Sequence, residues 1–199
     1  MAFGAFSHDI ADVLGGAILV LSFFLLCQRR IRALIDLYAV QAIVLAAAAA
    51  WQGVVQGAPE LFLAALIALA AKGVAVPLAL HAAARRLGRR RALETAPGVL
   101  PCMAIGLALV MLAVLAVSPA HADLAPALAV VLLGLFMMVM RTGVFGRVIG
   151  LLSLENGLIL AAIGVAGMPM VAGLSLATLA LLAAILCGLF FLGVDEVPP

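Results

Sequence analysis

Residues 141–164 read RTGVFGRVIGLLSLENGLILAAIG, and the fold turns on three features of that stretch. Beyond Arg147 the run Val148–Ala166 is apolar and spans roughly 28 Å as helix, which suits a bilayer core of about 30 Å. One acid, Glu155, interrupts it eight residues past Arg147, or roughly 12 Å into the membrane. Gly143, Gly150, Gly157 and Gly164 recur every seven residues, with Gly146 on the same side. At about 100° per residue they form one small-residue stripe along which another helix can approach closely. Glu155 lies about 140° around from Gly150. One face therefore packs a helix while the acid on another face must avoid lipid, so this segment is predicted to be surrounded by protein.

The rest of the chain has the same character. Of its 199 residues 68% are hydrophobic and 10% charged, against about 45–50% and about 25% in soluble domains. Mean hydropathy is +1.36. These values exclude a soluble globular enzyme, a disordered chain and a disulfide scaffold. The expected fold is all-α: one polytopic transmembrane domain over 1–199 with about seven helices. The spans are Ile10–Cys27, Ile31–Trp51, Leu61–Ala84, Val99–Val117, Leu124–Met140, Val148–Ala166 and Val171–Val194. Gly57-Ala58-Pro59-Glu60, Ser118-Pro119-Ala120-His121 and Gly167-Met168-Pro169 supply loop chemistry between spans. A faint parallel repeat relates 10–84 to 124–194: RALIDLYAVQAIVL from Arg32 aligns with RVIGLLSLENGLIL from Arg147, matching Gln41 to Asn156.

Charge sets the expected orientation. Of eleven basic residues one is Lys72, which leaves ten arginines. Arg29, Arg30 and Arg32 follow span one; Arg85, Arg86, Arg89, Arg90 and Arg91 follow span three; Arg141 and Arg147 flank the loop after span five. By the positive-inside rule these odd loops are cytoplasmic and the topology is N-out/C-in. Span one lacks a basic leader and carries its charges after the apolar run, so it reads as a retained anchor rather than a cleaved signal. The arginine and alanine bias suggests a bacterial inner membrane protein. The small net charge of +2 gives no reason to expect nucleic acid.

Charges within a span cost about 2.5–3.5 kcal/mol each on insertion scales and need a reason. Lys72, near the middle of span three, and Glu155 are the two that qualify. Each has a bland reading, a snorkelling lysine or a hydrogen-bonded structural carboxyl, and a functional one as a protonatable relay group. Intramembrane acids default to proton or ion paths, which favours the second. Counting from the arginine ends puts Lys72 about 6–8 Å deeper than Glu155, so their contact needs an extended lysine stem or a bridging water. Asn156 adjoins Glu155 as a hydrogen-bonding neighbour, and Gln41 is an interhelical candidate. Asp36 sits one turn after Arg32, which suggests an interfacial Arg32–Asp36 pair, with a place on the ion pathway as the alternative. Pro77 is a candidate kink that frees carbonyls beside a polar path. His8, His81 and His121 read as interfacial without spaced partners. Cys27, Cys102 and Cys187 are isolated and the methionines unclustered, so no metal or cofactor site is expected.

Glu155-Asn156-Gly157 within VIGLLSLENGLIL, preceded by LAPALAVVLLGLFMMVMRTGVFGR, resembles the component E membrane subunit of hydrogenase-4 and formate hydrogenlyase-type complexes. Lys72 and Pro77 in AAKGVAVPLAL, and Tyr38 and Gln41 in DLYAVQAIVL, resemble the same family's earlier spans. The last three spans also resemble the K-type small subunit of complex I and the C-type subunit of Mrp antiporters, where the acid matching Glu155 belongs to a chain of buried ionisable groups. Those relatives usually carry a second acid in the next helix. Here that helix offers Ser175 and Thr178 and no carboxylate. The resemblance implies an accessory membrane subunit with no catalytic centre or cofactor of its own. Its partners would be antiporter-like, K-type and H-type membrane subunits and, indirectly, a peripheral hydrogenase-like redox module. A structural scaffold bridging antiporter-like subunits and a subunit of a cation/proton antiporter are the competing readings.

Reporter fusions should place the Arg85–Arg91 loop in the cytoplasm and residues 118–123 outside. An outside signal from the Arg85–Arg91 loop overturns the topology and the depths counted from it.

Overall fold

The computed structural model describes residues 2–86, 98–118 and 124–164. Its elements are helical: α1 Ala2–Cys27, α2 Ile31–Gln56, α3 Pro59–Ile67, a π-helical segment Ala68–Ala75, α4 Val76–Arg86, α5 Val99–Ala116, α6 Ala125–Met140 and α7 Val144–Gly164. Among the described residues five stretches are long and apolar enough to cross a membrane: Asp9–Cys27, Ile31–Gln56, Pro59–Arg85, Val99–Ala116 and Val144–Gly164. The chain is thus an all-helical protein of membrane-spanning character. α6 is apolar too but has only 16 residues. The expected seventh span, Val171–Val194, lies outside the described residues, as do Arg89, Arg90, Arg91, His121 and the side chain of His8.

Helix ends follow local chemistry. α2 runs past Trp51 and through Gly53 to Gln56, and Gly57, whose φ is 63°, closes the helix with its N–H donating to Gly53 O. Pro59 then opens α3 and Glu60 occupies its first turn, positions that suit a residue without an N–H and an acid at a helix N-terminus. The Gly57-Ala58-Pro59-Glu60 loop is therefore a turn of two residues, Gly57 and Ala58. Around Pro77 the irregularity lies one turn earlier than the proline itself. The π segment widens the helix so that Val76 N–H donates to Ala71 O, five residues back. Proline removes a donor and crowds the preceding turn, and a π turn re-registers the ladder there. Lys72 sits inside this segment.

α6 and α7 form the most intimate pair, and glycine is the reason. A Cβ on Gly134 would stand 2.5 Å from Leu154 N and 2.8 Å from Gly150 O. One on Gly157 would meet Val131 N at 2.8 Å, and one on Gly150 would meet Gly134 O at 3.0 Å. Backbone lies against backbone. Gly150 and Gly157 of the seven-residue stripe thus lie in this contact, while a Cβ on Gly164 would have only ordinary contact, 3.9 Å from Leu124. The partner glycine on α6, Gly134, has no glycine at heptad spacing to announce it. Outward faces are apolar: Leu100 is 82%, Leu115 77% and Val139 73% exposed. Water does not tolerate such a surface over whole helices, whereas lipid does.

Arg141 departs from a simple charge-marking role. It is 1% exposed, and its Nη2 donates to Leu25 O at 3.0 Å, to Leu26 O at 3.1 Å and to Gln28 O. These carbonyls end α1, where the helix has no donors left and its dipole is negative. Arg147 Nε in turn donates to Arg141 O at 2.8 Å. The turn before α7 is thereby clamped to the end of α1.

Gly134→Ala should lower the stability of the detergent-solubilised protein by about 1–3 kcal/mol, since the overpacked contact is backbone that cannot yield. Gly16→Ala, with nothing within 4 Å of the added carbon, should not. Equal thermal midpoints for the two variants would contradict the close α6–α7 contact.

Candidate functional site

The polar side chains that the sequence scatters over three spans meet at one place. Lys72 Nζ lies 2.9 Å from Glu155 Oε1, with side chains 3% and 12% exposed. The link is direct: the π segment delivers the lysine stem across the depth difference expected from residue counting, and no intervening water is required. Lys72 Nζ also donates to Asn156 Oδ1 at 3.0 Å. Asn156 Nδ2 donates to Gln41 Oε1 at 3.3 Å. Gln41 Nε2 donates to Ser22 Oγ at 2.8 Å and Ser153 Oγ at 3.1 Å. Ser22 Oγ donates to Ile18 O at 2.9 Å, closing the row on the backbone of α1.

Helix periodicity explains the convergence. Ser153 and Asn156 are three apart on α7 and face the same way, as neighbours on a helix do. Gln41 and Asn156 are both fully buried, and α2 packs against α1, α7 and the π segment. The row therefore links α1, α2, the π segment and α7 through polar contacts in an apolar interior. Each such bond contributes modestly, about 0.6 kcal/mol on average and up to about 2 kcal/mol within membranes. An unmatched polar group there costs more, about 1–3 kcal/mol.

Two buried polar atoms stay without a hydrogen bond among the described residues: Tyr38 Oη and Glu155 Oε1. Glu155 Oε1 is within ion-pair distance of Lys72, but the contact lacks hydrogen-bond direction. Tyr38 is fully buried. It shares a cluster with Leu34, Val76, Leu80, Ile149 and Leu152.

Asp36 does not take Arg32 as its partner. Its Oδ1 lies 3.2 Å from His81 Nε2, so α2 is tied to α4, and His81 is not the partnerless histidine that its isolation in sequence suggested. The i,i+4 spacing of Arg32 and Asp36 permits a pair, but the neighbouring helix offers a closer one. His81 Nδ1 is 2.9 Å from Pro77 O. A carbonyl only accepts, so Nδ1 is the donor in that contact.

Ser22 and Ser153 are missing from the sequence reading, as is the burial of Arg141, which there marks only a loop charge. Serine is common enough in membrane helices that position alone does not single one out. Ser153 alone had a signal, its i,i+3 spacing to Asn156. No protein-family model, curated protein or solved structure matches the chain.

Lys72→Met should destabilise the protein by about 3–5 kcal/mol, because Glu155 then stays buried without its counter-charge. The double variant Lys72→Met/Glu155→Gln should recover most of that loss. A thermal-unfolding cycle in detergent measures the coupling, and additive single effects would rule out a buried pair.

Proposed function

We propose that the chain is a non-catalytic integral membrane subunit of a complex-I-like oxidoreductase related to group 4 nickel–iron hydrogenases, and that Glu155 and Lys72 carry protons within it. The observation that carries the reading is the ion pair itself, set in the apolar interior and joined to a row of amides and hydroxyls. A carboxylate that exchanges protons needs a nearby standing charge and hydrogen-bonding neighbours that rearrange at low cost. Asn156, Gln41, Ser22 and Ser153 supply such neighbours. The resemblance of the LENG and AAKGVAVP segments to component E supports the choice of complex. In this reading the arginine-bearing end faces the cytoplasm of a bacterial cell, the redox metals belong to a peripheral module, and the lipid-facing helices meet antiporter-like and K-type or H-type subunits.

A scaffold role is the second reading, favoured by the way the row ties α1, α2, the π segment and α7 together. Glu155→Gln separates the two. Glutamine preserves size and hydrogen bonding but cannot exchange a proton. In membranes with normal complex content, proton translocation should fall by about a hundredfold, the usual scale of a lost proton-transfer group, with assembly largely intact. Wild-type translocation would reject the relay and leave the scaffold.

A further inference from the structure

The seam between α2 and the hairpin partner that follows it, α3 through α4, takes no part in the relay. On α2, Arg32, Asp36, Val40, Ile43, Ala47 and Ala50 succeed one another at steps of three or four residues and so share one helix face. The first five are exposed and Ala50 is half-buried. Two contacts fix what this face meets. Asp36 Oδ1 lies 3.2 Å from His81 Nε2 on α4, and Ile43 Cγ1 lies 3.5 Å from the place of a Cβ on Gly73. As α2 advances from Asp36 to Ile43, its partner falls back from His81 to Gly73, so the two run antiparallel in a known register.

That register places different chemistry at the two ends of the seam. Beyond Ile43 the walls part around a cavity of about 380 Å³, with Ala46, Ala47 and Ala50 on one side and Phe62, Leu66 and Leu69 on the other. Methyl groups face large side chains there, and nothing polar lines the space. In the opposite direction, Arg32 is one turn before Asp36 on α2 and Arg85 is one turn after His81 on α4. The antiparallel register brings these two exposed arginines to the same level on neighbouring helices. α2 has no side-chain cap and no acid in its first turn, so the positive end of its dipole adds to theirs. The acid of this face, Asp36, is turned to His81. Two guanidinium groups and a helix N-terminus at one level repel one another unless an anion lies among them.

We propose that this seam binds one anionic phospholipid, with its phosphate between Arg32 and Arg85 and an acyl chain running past Val40 and Leu78 into the alanine-walled cavity. Guanidinium groups suit phosphate oxygens, and basic clefts between membrane helices hold acidic headgroups for this reason. Val40 is 46% and Leu78 62% exposed, so the path between the two ends is an apolar surface open to lipid. The lengths agree. Ala47 is fifteen residues beyond Arg32, about 22 Å along the helix. Half of a bilayer with its headgroup layer is about 20–22 Å, so a chain anchored at the arginines ends in the cavity. The inference is independent of the relay reading, since neither Lys72 nor Glu155 takes part.

The test titrates the full-length protein, stripped of lipid in detergent, with phosphatidylglycerol, phosphatidylcholine or inorganic phosphate, and counts bound molecules by native mass spectrometry. One phosphatidylglycerol should bind in preference to the other two. Arg32→Gln and Arg85→Gln should each weaken it about fivefold, the scale of one basic residue at a membrane surface. Arg29→Gln, exposed at the same end but outside the α2–α4 register, should leave it nearly unchanged. Ala47→Phe fills the cavity from its exposed wall and should also weaken binding, and it decides the matter alone should the arginine variants fail to fold. Equal binding of the two lipids, or equal weakening by Arg29→Gln and Arg32→Gln, would overturn the headgroup site. Wild-type affinity in Ala47→Phe, or inorganic phosphate bound as tightly as the lipid, would overturn the acyl-chain groove and the proposal with it. A second copy of the chain bound in place of lipid would do the same.

Discussion

Lys72 and Glu155 meet at 2.9 Å with both side chains largely buried, and much of the surrounding architecture serves that contact. Two charges in an apolar medium are tolerated only when paired and further hydrogen-bonded. The π segment brings the lysine to the right depth, the α6–α7 glycine contact fixes α7, and the helices around the pair keep it from lipid. The close approach at Gly134, Gly150 and Gly157 also explains why α7 is buried over most of its length although it is among the less apolar helices of the chain. A helix carrying a carboxylate cannot sit at the periphery, and small residues allow it to be enclosed.

The second constraint is at the arginine-bearing end. Arg141 joins the turn before α7 to the carbonyls that finish α1. The row of Ser22, Gln41, Ser153 and Asn156 connects the same two helices deeper in the bundle. α1 is therefore tied to the α7 region twice, once through its terminal carbonyls and once through the Ser22 hydroxyl, which accepts from Gln41 and donates to Ile18 O. One guanidinium nitrogen, Nη2, makes the outer tie by facing the carbonyls of Leu25, Leu26 and Gln28 together.

Much of this is written into the sequence, though not evenly. Helix boundaries at Gly57 and Pro59 follow from residues whose local preferences operate without tertiary help. The stripe of Gly150 and Gly157 is legible because helical periodicity is fixed. Lys72 and Glu155 stand out because charge is costly in lipid. Their direct contact does not, since it depends on a π turn set by the interplay of Pro77 with packing, and residue counting assumes an unbroken helix. The Asp36–His81 pair was hidden for a similar reason: Arg32 is the nearer basic group in sequence, and only the approach of α4 to α2 decides between them. Arg141 looked like a charge marker because sequence records that it is basic, not that α1 ends beside it. The glycine partner Gly134 lacks any repeat, so its role appears only when α6 is placed against α7.

The orientation of the amide row assigns different roles to the two charges. Asn156 presents its oxygen to Lys72 and its nitrogen to Gln41; Gln41 presents its oxygen to Asn156 and its nitrogen to two serines. Every dipole thus points its acceptor end toward the ammonium. Aligned hydrogen bonds polarise one another, so the row stabilises Lys72 as a cation more than separate contacts would. Glu155 Oε1 has no comparable support, being held by the ion pair and no hydrogen bond. A pair evolved only to bolt helices together gains most when both members are fully matched. Here the matching is one-sided. Within the proposed relay that asymmetry makes Lys72 the standing charge, fixed by the amides, and Glu155 the group that gains and loses the proton.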